Sequence, residues 1–138
     1  VKSLHAQGFK GLLLPADAGP YDSRLLEGAL SYRHAAETAG LGIIGWHGLL
    51  ITPEYGPRVR LACILTDTIF ASSTPLNIEN PCFKCGGNCI KICPVKAISK
   101  PQVEEAYHLD KYFCCSYYTA SGMCAECLKA CPVGQDSP

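Results

Sequence analysis

Over its first 71 residues the chain alternates short apolar runs with polar, glycine- and proline-rich breaks; beyond that, cysteine organises it. Val1 to Gln7, stopped by Gly8, fits the end of a helix, and Phe9 to Leu14 is a short apolar strand ended by Pro15. A polar loop then runs to Asp22 or Ser23, either of which suits a helix cap. From Arg24 to Ala39 the pattern predicts a helix, because Leu25, Leu26, Ala29, Leu30 and Ala36 can share one face, with Gly40 placed to end it. Leu49 to Thr52 and Val59 to Thr66 read as strands joined through the turn-rich Pro53-Glu54-Tyr55-Gly56-Pro57. Mixed elements of this kind predict an α+β chain that opens on a partial α/β layer.

Residues 72–81 are polar and bounded by proline, and read as a linker between a region over 1–71 and a cysteine-organised domain over 82–138. The second domain is expected to be short helices and loops. Asp110 is placed to cap a helical turn carrying Cys114 and Cys115. Residues 99–109 stay open between two readings: Ser99 and Gln102 fit a capping box, and a strand fits as well.

Cysteine content changes the picture most. Nine of the ten cysteines fall between Cys82 and Cys131, and only Cys63 lies outside. Clustering at ligand spacing, with no secretion signal visible, points to metal binding in a reducing, cytoplasmic setting rather than to disulfides. Twelve basic residues balance twelve acidic ones, which gives no support for a nucleic-acid surface needing a basic surplus. No apolar stretch approaches a membrane span; the longest, such as Leu61 to Leu65, are strand-sized. Val1-Lys2-Ser3 lacks an initiator Met and reads as the middle of a longer protein.

Two motifs carry the chemistry: Cys82-x2-Cys85-x3-Cys89-x3-Cys93-Pro94, and Cys124-x2-Cys127-x3-Cys131-Pro132 with Cys114 and Cys115 upstream. In two-cluster ferredoxins three closely spaced thiolates wrap one 4Fe–4S cubane, and the following Cys-Pro supplies a ligand to the other. On that pattern Cys82, Cys85, Cys89 and Cys131 hold one cluster. Cys93, Cys124 and Cys127 hold the second together with Cys114 or Cys115, Cys114 being preferred. Three residues separate Cys85 from Cys89 where two are usual, and Gly86-Gly87 can absorb the extra one. A zinc ribbon on Cys82, Cys85, Cys124 and Cys127 is the competing reading, but it leaves Cys89, Cys93, Cys131 and both Cys-Pro steps unused. Cys63 reads as a small buried hydrophobe. With every iron thiolate-bound, such a module conducts electrons and leaves no open site for substrate. A double-cluster carrier or subunit without any further cofactor is therefore one candidate function.

Gly40, Gly42, Gly45 and Gly48 lie two or three residues apart, without the strand-before, helix-after order of a dinucleotide site. They serve either tight packing or close approach of backbone to a flat ligand. Residues 39–67, AGLGIIGWHGLLITPEYGPRVRLACILTD, followed by both cysteine motifs, resemble the epoxyqueuosine reductases and the cobalamin-dependent reductive dehalogenases. The resemblance implies a corrinoid on a nitroreductase-like α/β layer, fed with electrons by a C-terminal double-cluster module. It implies an oxidoreductase in the full-length protein, a flavodoxin or ferredoxin as electron donor, and a small-molecule or modified-nucleoside substrate. The stretch DKYFCCSYYTA resembles the family segment that supplies a cluster ligand, which matches Cys114 and leaves Ser116 as a corrinoid contact. Gly45, His47 and Gly48 are the other corrinoid contacts it implies. Most of the family's corrinoid pocket and catalytic machinery lies upstream of the matching segment, so no catalytic acid is assigned among Tyr32, Arg33, His34 and His47.

Overall fold

The computed structural model describes residues 1–16 and 20–135. Short helices and strands alternate as α1 (Lys2–Ala6), β1 (Gly11–Leu14), β2 (Tyr21–Asp22), β3 (Glu27–Gly28), α2 (Tyr32–Thr38), β4 (Ile43–Ile44), β5 (Leu50–Ile51) and β6 (Cys63–Thr66). The cysteine-bearing part continues as α3 (Cys82–Cys85), α4 (Asn88–Ile92), β7 (Ile98–Ser99), β8 (His108–Leu109), α5 (Lys111–Ala120) and α6 (Glu126–Lys129). The described strands form four two-stranded antiparallel pairs: β1 with β6, β2 with β3, β4 with β5, and β7 with β8. This is an α+β arrangement of small sheets.

The expected helix over 24–39 is half hairpin. Asp22 accepts the Arg24 N–H at 2.9 Å and pairs with the Arg24 guanidinium at 2.8 Å, a local turn that competes with a helix start. Leu26 takes a positive φ of 50°, and the chain folds back so that Tyr21 faces Gly28 and Asp22 faces Glu27. The helix begins only at Tyr32, and of the expected apolar face Ala36 alone is buried on it. Gly40 does follow the helix in a left-handed conformation, φ 73°.

The Pro53–Pro57 segment does not join partners. Thr52 and Gly56 close it as a turn, β5 pairs back to β4, and β6 is only Cys63–Thr66, pairing with the distant β1. In that register Cys63 opposes Leu14 and is half-buried, less enclosed than its apolar sequence suggests. Between residues 99 and 109 the strand reading holds at both ends, with Ser99 opposite His108. The Glu105 carboxylate takes the Gln102 N–H at 3.2 Å, and the segment between forms a turn without a helix. Asp110 caps α5 as expected, accepting from the N–H groups of Tyr112 at 3.1 Å and Phe113 at 3.0 Å.

Residues 72–80 carry no regular element. Even so, one core draws on both sides of them: Trp46 and Ile51 pack with Cys82, Cys89, Ile98 and Cys131. Asn80 helps to join the two parts, donating to the Ile44 carbonyl at 3.2 Å while accepting the Cys82 N–H at 3.0 Å. Among the described residues no helix is long and apolar enough to cross a membrane.

Candidate metal centres and a cavity

Local chain geometry explains how the first motif presents its thiols. Cys82 and Cys85 sit at the ends of α3, and Cys89 lies in α4. Between the helices Gly86 and Gly87 both adopt left-handed conformations, φ 64° and 75°, so two consecutive residues reverse the chain where a side chain would be strained. Gly87 also lies under the Trp46 ring: a Cβ there would sit 3.1 Å from Cζ3 and 2.9 Å from Ile90 Cδ1. Trp46 also meets Phe83, edge-on at 5.6 Å between centroids.

The thiols gather in two neighbourhoods, recorded in how they perturb one another. Cys82 is raised above its ordinary pKa by burial first and then by Cys85 and Cys131. Burial pushes Cys89 up to about 11, helped by Cys82 and Cys85. Cys131 is raised by burial and by Cys85, against the pull of the Arg58 charge. In the second neighbourhood Cys114 is raised by burial, then by Cys93, Cys124 and Cys115. Cys127 goes up to about 11 through burial, then Cys114 and Cys124. Cys89 also feels Cys127, so the two neighbourhoods lie within electrostatic reach of each other. Crowded, buried thiols of this kind become thiolates only when a cation compensates them.

The donor set is all thiol, the chemistry that iron–sulfur clusters take. Among the described residues no three His, Cys, Asp or Glu side chains come together closely enough to hold one metal ion. Tetrahedral zinc at about 2.3 Å from each sulfur would need sulfurs about 3.8 Å apart, whereas the thiolates of a cubane stand on its four outer corners and further apart. Backbone donors already aim at two sulfurs: Trp46 N–H to Cys82 Sγ at 3.4 Å, and Ala97 N–H to Cys93 Sγ at 3.3 Å. Hydrogen bonds to ligand sulfur are among the levers that set cluster potential.

A cavity of about 800 Å³ opens beside the β4–β5 pair, lined by Tyr32, Arg33, Leu49, Leu50, Val59 and Tyr107 among others. Its polar wall is preorganised. Arg33 donates to the Gly48 carbonyl and, at 2.7 Å, to the Tyr107 hydroxyl, with its guanidinium 4.8 Å over the Tyr107 ring. Tyr107 had no sequence signal, since its contacts to Arg33 and Gly48 span a long stretch of chain.

The expected corrinoid contacts are not among the residues lining this cavity. Protein fills the space beside the glycines: Gly42 lies on the Ile51 main chain, Gly45 on the Ile51 and His47 side chains, and Gly48 on Tyr107 and Arg33. Ser116 is exposed on α5. His47 is 4% exposed, and its Nδ1 accepts the Leu49 N–H at 3.1 Å, which fixes the remaining proton on Nε2. That buried Nε2 has no partner, an unmet donor of the kind a bound group satisfies. Burial holds the His47 pKa down to about 4, so the ring is neutral at physiological pH.

No protein-family model matches the chain. The tetrachloroethene reductive dehalogenase of Dehalobacter restrictus is 36% identical over 115 residues, covering 70% of this chain and 21% of the relative. The epoxyqueuosine reductase of Bacillus subtilis is 39% identical over 74 residues, 54% of this chain and 18% of the relative. Among solved structures, an epoxyqueuosine reductase with an epoxyqueuosine-modified tRNA-Tyr stem loop aligns with a TM-score of 0.74 at 25% identity, over 99% of this chain and 36% of that one. A catabolic reductive dehalogenase aligns with a TM-score of 0.80 over 99% of this chain and 20% of its own; at 21% identity this is a likeness of fold. The matched relatives and solved structures are named as reductases or dehalogenases. The chain belongs to the family of epoxyqueuosine reductases and reductive dehalogenases, and spans about a fifth of the length of the curated relatives it matches.

Proposed function

We propose that this chain is the electron-feeding part of a cobalamin-dependent reductase and holds two 4Fe–4S clusters. Cys82, Cys85, Cys89 and Cys131 hold one, and Cys93, Cys114, Cys124 and Cys127 the other. The observation that carries the proposal is that the two motifs interleave: Cys131 of the second packs in one buried cluster with Cys82 and Cys89 of the first, and Cys93 and Cys127 pack against it. Interleaving of that kind is what two linked cubanes require. Cys114 is preferred to Cys115 as the fourth ligand, in keeping with its influence on Cys127.

The bound groups supply one-electron transfer at the clusters and a reducible cobalt at the corrinoid. This chain's residues bind and insulate them. Trp46, Ile51 and Ile98 wall the first thiol set from water, and the Trp46 and Ala97 N–H groups stabilise thiolate at Cys82 and Cys93. Arg33, Tyr107 and the other residues of the cavity beside β4–β5 would hold a corrinoid, on what would be part of a nitroreductase-like layer. His47 offers its Nε2–H to a bound group. Electrons come from a flavodoxin or ferredoxin. The substrate is a small organohalide or a modified nucleoside, since a dehalogenase and an epoxyqueuosine reductase match 70% and 69% of this chain. Adding cobalamin to the anaerobic full-length protein tests the reading: the cobalt spectrum changes on binding and again on reduction through the clusters. An unperturbed spectrum with both clusters intact defeats the corrinoid part.

A double-cluster carrier without corrinoid is the second reading, favoured by the protein packing that surrounds Gly45 and Gly48. It predicts reversible one-electron titration in the absence of cobalamin and a stable complex with a redox partner.

A further inference from the structure

The turn after β5 and the turn closing the second cysteine motif interlock. Thr52 and Gly56 exchange backbone hydrogen bonds at 3.0 and 2.9 Å to form the first turn. Gly56 lies directly on the Val133 main chain, where a Cβ would stand 2.0 Å from the carbonyl oxygen. Gly134 reciprocates against Tyr55, where a Cβ would stand 2.3 Å from the carbonyl carbon. With no side chain between them, the two backbones meet.

Arg58 spans this contact. Its Nη1 donates to the Val133 carbonyl at 2.7 Å, and its Nη2 donates to the carbonyls of Cys131 at 2.7 Å and Leu128 at 3.0 Å. A planar guanidinium can reach three carbonyls at once from a single side chain, which the single ammonium of lysine does not reproduce. Cys131 is the one thiol within 128–133, and it reaches the first thiol neighbourhood from a motif that otherwise serves the second.

We propose that Arg58 is the positioning residue that delivers Cys131 to the first cluster and places a positive charge beside that cluster alone. The inference rests on the ligand reading given above. Charge follows the same geometry: the guanidinium donates to the Cys131 carbonyl itself, at 2.7 Å. A cation beside a cubane raises its potential, so the two clusters of one chain are tuned apart by a residue that ligates neither.

The test uses full-length protein purified anaerobically as wild type, Arg58→Gln and Arg58→Lys. Iron and acid-labile sulfide are counted, each cluster is titrated by EPR, and iron release to a chelator is timed. In Arg58→Gln one cluster is expected either to be lost or to titrate lower, its reduction equilibrium falling about tenfold, or about 59 mV for one electron, while the other keeps its midpoint. Arg58→Lys is expected to restore the midpoint but to release that cluster's iron faster than wild type. Wild-type midpoints and release rates in both variants overturn the inference while leaving the clusters in place, as do equal shifts at both clusters. Should Arg58→Gln fail to fold, Arg58→Lys decides: wild-type iron release refutes the positioning role. A wild-type protein with no sulfide brings down the ligand reading, and this inference with it.

Discussion

Gly86 and Gly87 are a matched pair in the first motif, and replacing each by alanine separates backbone strain from packing. Both have left-handed φ, 64° and 75°, so either alanine costs about 1–2 kcal/mol in conformation. Their surroundings differ. The Gly86 Cβ would meet nothing within 4 Å, whereas the Gly87 Cβ would press on Ile90 Cδ1 at 2.9 Å and Trp46 Cζ3 at 3.1 Å. Ile90 can turn its terminal carbon away. Trp46, 5% exposed and edge-on to Phe83, has little room to move. Overpacking of this kind adds about 1–3 kcal/mol, so Gly87→Ala should exceed Gly86→Ala by that margin. Cluster loss makes equilibrium unfolding irreversible, so the assay is the rate of iron release to a chelator under argon. The extra cost, appearing in the opening step, speeds release about 5- to 150-fold in Gly87→Ala relative to Gly86→Ala. Equal rates in the two variants would refute the role given to Trp46 as a lid on the cluster loop.

Cys89→Ser and Cys127→Ser should each remove about half of the iron and sulfide and loosen the cysteine-bearing part, because metal binding there is folding energy; Cys63→Ser should leave the iron content unchanged. Comparable iron loss from Cys63→Ser would contradict the ligand sets. His47 gives a pH signature. Its folded pKa of about 4 lies below the ordinary 6.5, so the unfolded chain takes the proton first. Its contribution to stability is complete above pH 6.5 and is lost as pH falls toward 4. Between pH 7 and 5 that loss is about 2 kcal/mol, which His47→Gln should abolish; identical pH slopes of the anaerobic melting midpoint in the two proteins would rule it out.

Local chemistry was readable from the sequence, and distant contact was not. Asp110 as a cap, the turn made by Gly86-Gly87 and the left-handed Gly40 follow from residue type and near neighbours alone. The hairpin over 21–28 escaped because Leu25, Leu26, Ala29 and Leu30 fit a helical face equally well, and the Asp22–Arg24 turn that decides the matter is a side-chain event. The pairing of β6 with β1 instead of with β5 is non-local, and periodicity does not name a strand's partner. Arg58 gave no sequence signal of its role, because the carbonyls it holds lie 70 to 75 positions away. Of the two readings of the glycines of 42–48, the fold shows tight packing, against Ile51, His47, Tyr107 and Arg33.

Two cubanes held by interleaved thiolates make one demand above all others. Anaerobically isolated full-length protein should contain about eight iron and eight acid-labile sulfide per chain, and after dithionite should show the EPR signal of two reduced, magnetically interacting clusters. A colourless protein with zinc near stoichiometry, no inorganic sulfide and no paramagnetic signal would contradict it.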